Sequence, residues 1–202
     1  MKTLLVTGGT GGLGTFVVER LSRDYRCVLL THRDADLADG AATRAAITRL
    51  VDGPLYGVVH LAGGFEAGKV ADTSDEVWAK MLALNTTGAF HVIREALPHL
   101  VAPARIVAVS SFATLTKARG IAAYTVSKSA LNALIEVVAA ELAGSGITAN
   151  ALLPDTLATP VNVSSSSDAK LVPLANVAES IAFLLSEEAA SINGALIPLR
   201  GT

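Results

Sequence analysis

Thr3-Leu-Leu-Val-Thr-Gly-Gly-Thr-Gly-Gly-Leu-Gly14 is a short apolar run that ends in a cluster of glycines and passes into a helical pattern. An apolar run of this length, bounded by glycines, reads as a strand covered on both faces. The glycines permit a tight turn and let backbone N–H groups come close to an anion. The N-terminus of the following helix adds favourable dipole charge. In the first βα unit of an α/β chain, this arrangement favours a dinucleotide pyrophosphate over a plain turn. Gly8, Thr10, Gly11, Gly12, Leu13 and Gly14 are therefore the first candidate cofactor-binding residues.

The same rhythm continues along the chain. Apolar runs predict strands over 3–7, 26–31, 57–61, 104–110, 147–153 and 195–199. Helical periodicity predicts helices over 13–23, 40–51, 74–100, 121–143 and 175–187. Strands that are apolar throughout, alternating with helices, give an α/β, doubly wound parallel sheet of Rossmann-like type with helices on both faces. No boundary or repeat divides the chain, so residues 1–202 are expected to form one domain. One segment departs from the rhythm: 160–173 holds Ser164-Ser-Ser-Ser167 between two prolines. Its place after the strand at 147–153 fits a lid over a substrate better than a passive loop.

Composition narrows the partners. Apolar residues make up 51% of the chain and charged residues only 17%, which hints at surface buried between subunits. The formal charge is −2 and no basic block occurs, which argues against nucleic acid and anionic membranes. No apolar run approaches the roughly 20 residues of a membrane span. The N-terminus runs straight into a strand and lacks the features of a signal peptide. The one cysteine, Cys27, sits in an apolar run and fits a reducing, cytoplasmic setting. His32, His60, His91 and His99 are scattered, and no metal-ligand spacing occurs.

The reacting groups are signalled by Tyr124-Thr-Val-Ser-Lys128, with Ser111 thirteen residues upstream of the tyrosine. On a helix, Tyr124 and Lys128 share one face, one turn apart. A phenol normally ionises near pH ~10. A neighbouring ammonium favours the phenolate, so the pair could exchange a proton with an alcohol or carbonyl oxygen near neutral pH. Tyr-x-x-x-Lys alone arises often by chance. It gains weight from the glycine-rich turn and from Ser111.

These motifs together resemble the short-chain dehydrogenase/reductase family over essentially the whole chain. The glycine run satisfies both Thr-Gly-x-x-x-Gly-x-Gly and Gly-x-x-Gly-x-x-Gly, and the short chain favours the family's compact type. Further landmarks fall in order. In His60-Leu-Ala-Gly-Gly64, Ala62 and Gly63 match the family's Asn-Asn-Ala-Gly, whereas His60 and Leu61 depart from it; Gly64 is counted with the cofactor set. Leu84-Asn-Thr-Thr-Gly88 supplies Asn85, whose role in the family is to shape a helix and hold a relay water near the lysine. Val109-Ser-Ser111 supplies the serine. Pro154-Asp-Thr-Leu-Ala-Thr159 stands where the family has Pro-Gly followed by Thr. The resemblance implies that Pro154, Leu157 and Thr159 meet the carboxamide or phosphates of the cofactor.

An acidic side chain at the end of the second strand would favour NAD. Here His32 and Arg33 stand at that place, and Arg33 could clamp a 2′-phosphate with its planar fork. Asp34 could pair with Arg33 or itself meet the ribose. Asp36-Leu37 resembles the family's short element near the adenine. NADPH is favoured over NADH.

Leu152-Leu-Pro-Asp-Thr-Leu-Ala-Thr-Pro-Val-Asn162 and Ala62-Gly-Gly-Phe65 resemble the dihydropteridine reductase branch. Ser111 points instead to ordinary carbonyl reduction. The resemblance thus implies hydride transfer to a carbonyl or pterin-like small molecule. Tyr124 would act as acid, Lys128 would lower the Tyr124 pKa and hold the ribose, Ser111 would place the substrate oxygen, and Asn85 would support the relay. Phe65, Phe112, Val161 and Val163 could line the substrate pocket. The alternative is a cofactor-binding sensor or scaffold with little turnover, against which the intact Ser111, Tyr124 and Lys128 argue. Ala130-Leu-Asn-Ala-Leu-Ile-Glu-Val-Val-Ala-Ala140 is apolar around much of its circumference. The resemblance implies a homodimer or homotetramer paired through helices 74–100 and 121–143.

Overall fold

A computed structural model describes residues 1–165 and 170–201; the side chains of residues 161 and 165 fall outside that description. Six parallel strands form one sheet: β1 (Lys2–Thr7), β2 (Tyr25–Leu30), β3 (Leu55–His60), β4 (Leu100–Val109), β5 (Ile147–Pro154) and β6 (Leu196–Leu199). Their spatial order is β2-β1-β3-β4-β5-β6. The chain therefore winds outward from β1 to β2, then returns past β1 to build the rest of the sheet. That reversal leaves a crevice between the carboxyl ends of β1 and β3, the place where doubly wound sheets take their ligands.

Side-chain alternation explains why the strands read as continuously apolar. Leu4 and Val6 point to one face, where Val17 and Leu21 of α1 (Gly12–Leu21) and Val177 and Ile181 of α8 (Leu174–Leu185) cover them. Leu5 points to the other face. There Ile47 of α2 (Gly40–Leu50), Val92 and Ile93 of α4 (Gly88–Ala96) and Leu131 and Ile135 of α6 (Ala122–Glu141) form a second core. Every residue of β3 is buried. Strands covered on both faces leave no polar side to read, and the pattern in the sequence follows from that.

The predicted strands and helices all occur, with ends moved by a few residues at most except at β4. Three differences matter for the site. The helix expected over 74–100 is α3 (Asp75–Leu82), a π-helical turn over Ala83–Thr87, α4, and a 3-10 turn over Leu97–His99. A short helix α5 (Ala113–Thr116) follows β4. In the expected loop over 160–173, Pro160–Ser165 forms a short helix, α7. The two arms of this segment are tied at the base: Ala158 N donates to Val172 O, and Val172 N to Thr156 O, both at 2.8 Å. The serine run extends into residues 166–169, outside the described residues.

Gly57 tests the packing of this sheet. A Cβ there would lie 2.5 Å from the Arg105 carbonyl oxygen and 3.1 Å from Leu4 Cδ2. Gly57→Ala should cost about 1–3 kcal/mol, as overpacked cores do. The melting temperature should then fall by roughly 2–4 °C per kcal/mol. Thermal unfolding followed by circular dichroism checks this, and an unchanged melting temperature would show that β3 and β4 can separate at no cost.

Candidate functional site

The glycine-rich turn connects β1 to α1. Gly8 has φ +70°, and a Cβ there would lie 2.6 Å from the Ala62 nitrogen. A Cβ on Gly14 would lie 2.1 Å from the Gly8 carbonyl oxygen. Only bare backbone fits these two contacts, so the turn folds tightly against the segment leaving β3. Thr10, Gly11 and Gly12 are exposed, and Leu13 faces the main cavity. Asp39 caps α2 and Ser74 caps α3 with their side chains. The N-terminus of α1 has no side-chain cap and no acid in its first turn. Its free N–H groups and dipole suit a phosphate anion. The cradle fits a dinucleotide, and Leu61 to Gly64 form its far wall.

At the end of β2, Asp34 is fully engaged. Its Oδ2 accepts from Thr31 N (3.0 Å) and Thr31 Oγ1 (2.7 Å), and its Oδ1 accepts from Arg49 Nη2 (2.9 Å). The Thr31 hydrogen bonds, followed by the Arg49 guanidinium, hold this carboxyl below its ordinary range. Asp34 therefore does not pair with Arg33. His32 and Arg33 are exposed, and among the described residues Arg33 has no carboxylate within ion-pairing distance. Asp36 Oδ1 accepts from Ala38 N, while the Leu37 carbonyl accepts from His91 Nδ1.

Asn85 sits in the π-helical turn and is completely buried. Its Oδ1 accepts from Gly64 N (2.9 Å); its Nδ2 donates to Gly64 O and to Ser127 Oγ, both at 3.0 Å. Ser127 Oγ donates on to Tyr124 O (2.8 Å). The π-turn carries Asn85 between the strand exit and α6, joining the cofactor wall to the helix that holds Tyr124. Thr86 Oγ1 adds a bond to Ser127 O.

Lys128 is buried under this network, and its Nζ donates to Val109 O at 2.9 Å. Burial brings its pKa down to about 8. Burial pushes the Tyr124 phenol above its ordinary value, while a hydrogen bond with Ser111 pulls it back in part. This corrects the expectation that Lys128 lowers the Tyr124 pKa. The ammonium turns to the end of β4 rather than to the phenol, and desolvation dominates. Ser110 Oγ donates to Lys128 O, so Ser111, not Ser110, presents its hydroxyl to Tyr124. His60 lies fully buried nearby, with Nδ1 2.9 Å from Thr7 Oγ1; burial, then the Lys128 charge, lowers its pKa to about 3. It is a neutral packing residue.

A cavity of about 750 Å³ opens over these groups. Gly63, Ser111, Tyr124 and Lys128 line its floor, and Pro154, Leu157 and Thr159 line one wall. Phe65 and Phe112 also line it, with the Phe65 ring edge-on to Tyr124 at 5.0 Å between centroids. Val163 does not: it is 57% exposed. The α7 turn points Asn162 inward instead, where it lines the cavity and its Nδ2 donates to Leu157 O. Val161, the fourth expected pocket residue, has its side chain outside the described residues. Sequence reasoning missed Asn162, Ser127 and Arg200. Ser127 lies within the Tyr124–Lys128 stretch. Arg200 follows the last strand at the carboxyl end of the sheet, the end where doubly wound folds take their ligands, and that position is its signal in the sequence. Among the described residues, no group of three His, Cys, Asp or Glu side chains could hold a metal ion, and no helix is long and apolar enough to cross a membrane.

The chain is similar to known proteins. A family model described as enoyl-(acyl carrier protein) reductase matches residues 14–201. The 2-(R)-hydroxypropyl-CoM dehydrogenase of Xanthobacter autotrophicus is 32% identical, over 99% of this chain and 97% of that protein. The 3-oxoacyl-(acyl-carrier-protein) reductase MabA of Mycobacterium avium is 26% identical, over 99% of this chain and 89% of that protein. Among solved structures, a short-chain dehydrogenase from Burkholderia cenocepacia in complex with NADP superposes with a TM-score of 0.87 at 27% identity, covering 99% of this chain and 96% of that one.

The buried Lys128 has a thermodynamic signature. Its pKa is about 8 folded and near 10.5 unfolded. Below pH 8 both states carry the proton, and the folded state bears the full desolvation penalty. Between the two values the unfolded chain binds more protons, so stability rises with pH. Relative to Lys128→Met, the unmodified protein should gain on the order of 3 kcal/mol across that window. Denaturant unfolding of both proteins at several pH values measures the gap, and a pH-independent gap would mean that Lys128 titrates normally.

Proposed function

Since the chain belongs to the short-chain dehydrogenase/reductase family, we propose that it reduces a carbonyl group on a small molecule, with Tyr124 as proton donor and NADPH as hydride source. Membership makes it an NAD(P)H-dependent oxidoreductase and agrees with the resemblance drawn from its motifs. The observation that carries the finer reading is the convergence of Ser111, Tyr124 and Lys128 on one cavity beside the glycine cradle.

When bound in the cradle, a nicotinamide cofactor would supply the hydride for the carbonyl carbon. The chain's own residues do the rest. Ser111 and Tyr124 hydroxyls receive the carbonyl oxygen. The raised Tyr124 pKa keeps the phenol protonated at neutral pH, the form that can give a proton to the developing alkoxide. Lys128 reaches the same floor and would hold the ribose of a bound cofactor. Asn85 fixes the spacing between Gly64 and α6, and supports proton return. The α7 helix, the described part of the segment after Thr159, would cover the substrate and limit water. A pterin-like electrophile is the second substrate class, supported by the Leu152–Asn162 stretch and by Asn162 in the cavity. A sensor without turnover would not need the three reacting groups in contact with one cavity.

NADPH is favoured because Asp34, the acid that could serve a ribose, is consumed by Thr31 and Arg49. Arg33 stays exposed for a 2′-phosphate. A homo-oligomer is favoured because Trp78, Leu84 and Phe90 on the α3–α4 side and Val126 and Val137 on α6 are exposed.

Tyr124→Phe should lower ketone reduction by roughly 10²–10⁴ while NADPH affinity stays nearly the same; near-full turnover would remove Tyr124 from the mechanism. Arg33→Ala should erase most of the preference for NADPH over NADH, read by titrating each cofactor, and equal affinities in the unmodified protein would refute that preference. Light scattering at micromolar concentration should give a dimer or tetramer; a monomer would contradict the pairing of α3–α4 and α6.

A further inference from the structure

Arg20, Arg26, Arg44, Arg49 and Arg94 each meet a carboxylate on the surface. Arg200 does not. It lines the catalytic cavity, and its guanidinium carbon lies 5.1 Å from the centroid of the Phe112 ring. Among the described residues no carboxylate is within ion-pairing distance of it. Asp155 also lines the cavity, but its Oδ1 accepts from the Thr156 amide.

The backbone holds Arg200 in place. On one side, Leu199 O accepts from Asp155 N at 2.8 Å, just beyond the β5–β6 ladder. On the other, a Cβ at Gly201 would lie 2.2 Å from Lys170 O, so the chain is pressed against the segment entering α8. Phe112 is fixed in turn, its amide donating to Pro154 O at 2.9 Å. Phe112 directly follows Ser111, so the cation stands one residue from the carbonyl-binding hydroxyl. A stacked guanidinium keeps its in-plane N–H donors free, and those donors match the geometry of an oxyanion.

We propose that Arg200, on its Phe112 platform, is an anion subsite, and that the enzyme prefers carbonyl substrates with a carboxylate, phosphate or sulfonate a few bonds from the reacting carbon. This rests on the carbonyl-reduction reading above. Lys128, the other cation among the described residues that line the cavity, is buried with its Nζ bonded to Val109 O, and so is not available at the mouth.

The test compares levulinate with methyl levulinate, which share the ketone and chain and differ at the far end, where one has a carboxylate and the other a neutral methyl ester. Calorimetric titration into NADP⁺-loaded protein should show the acid binding on the order of 10–100-fold more tightly than the ester. That ratio should collapse towards one in Arg200→Met and survive in part in Arg200→Lys. The same ratio should appear in kcat/KM, carried by KM. Equal affinity for acid and ester in the unmodified protein, or a ratio that survives Arg200→Met, would overturn the subsite. So would a loss of NADPH affinity in Arg200→Met, which would assign the arginine to the cofactor. Charge-selective binding without turnover of either compound would count against the Tyr124 chemistry and still support the subsite.

Discussion

Everything in this site depends on backbone meeting backbone at the exit of β1. Gly8 lies against Leu61 and Ala62, and Gly14 lies against Gly8 and Gly9, at separations that no side chain permits. These contacts pull the start of α1 and the strand exit of β3 to the two sides of one crevice. An alanine at either position would force these backbones apart. The uncapped N-terminus of α1 and the wall Leu61–Gly64 then face the same space. The sheet order places that space at the reversal of winding, so cradle and crevice coincide.

The second wall depends on a buried polar network. Asn85, Gly64, Ser127 and the Tyr124 backbone form an unbroken chain of hydrogen bonds beneath the cavity. Each bond contributes about 1 kcal/mol net, but breaking one would strand a buried group at a larger cost. The network therefore fixes geometry more than it adds stability. Lys128 shows the trade clearly: burying an ammonium costs stability, and the same burial lowers its pKa. Packing alone would favour a methionine there.

Much of this was legible in the sequence, for physical reasons that differ by element. The strands were readable because burial on both faces leaves unbroken apolar runs. The cradle was readable because its glycines answer a steric demand. Tyr124, Lys128 and Ser111 were readable as a spacing, and the structure brings them to one cavity. What was not legible depends on contacts between distant segments. The π-turn at Ala83–Thr87 is invisible to a 3.6-residue period, which runs through it. The engagement of Asp34 by Arg49 joins residues fifteen apart. The Tyr124 pKa follows burial, which spacing does not report. Val163 and Asn162 differ by one step around a short helix, and the apolar residue was the natural but mistaken choice for the cavity. Arg200 gains its meaning only from Phe112, far back in the chain.

In the proposed reaction, the cradle and the cavity would bring a nicotinamide C4 and a carbonyl carbon together over Tyr124. Transfer of isotope tests it most directly. The protein would be supplied with NADPH carrying deuterium on both positions at C4 and with a ketone substrate in ordinary water, and the alcohol analysed by mass spectrometry and NMR. Direct hydride transfer should leave one deuterium on the former carbonyl carbon and none on the exchangeable oxygen. An alcohol free of deuterium, or label lost to solvent, would contradict it.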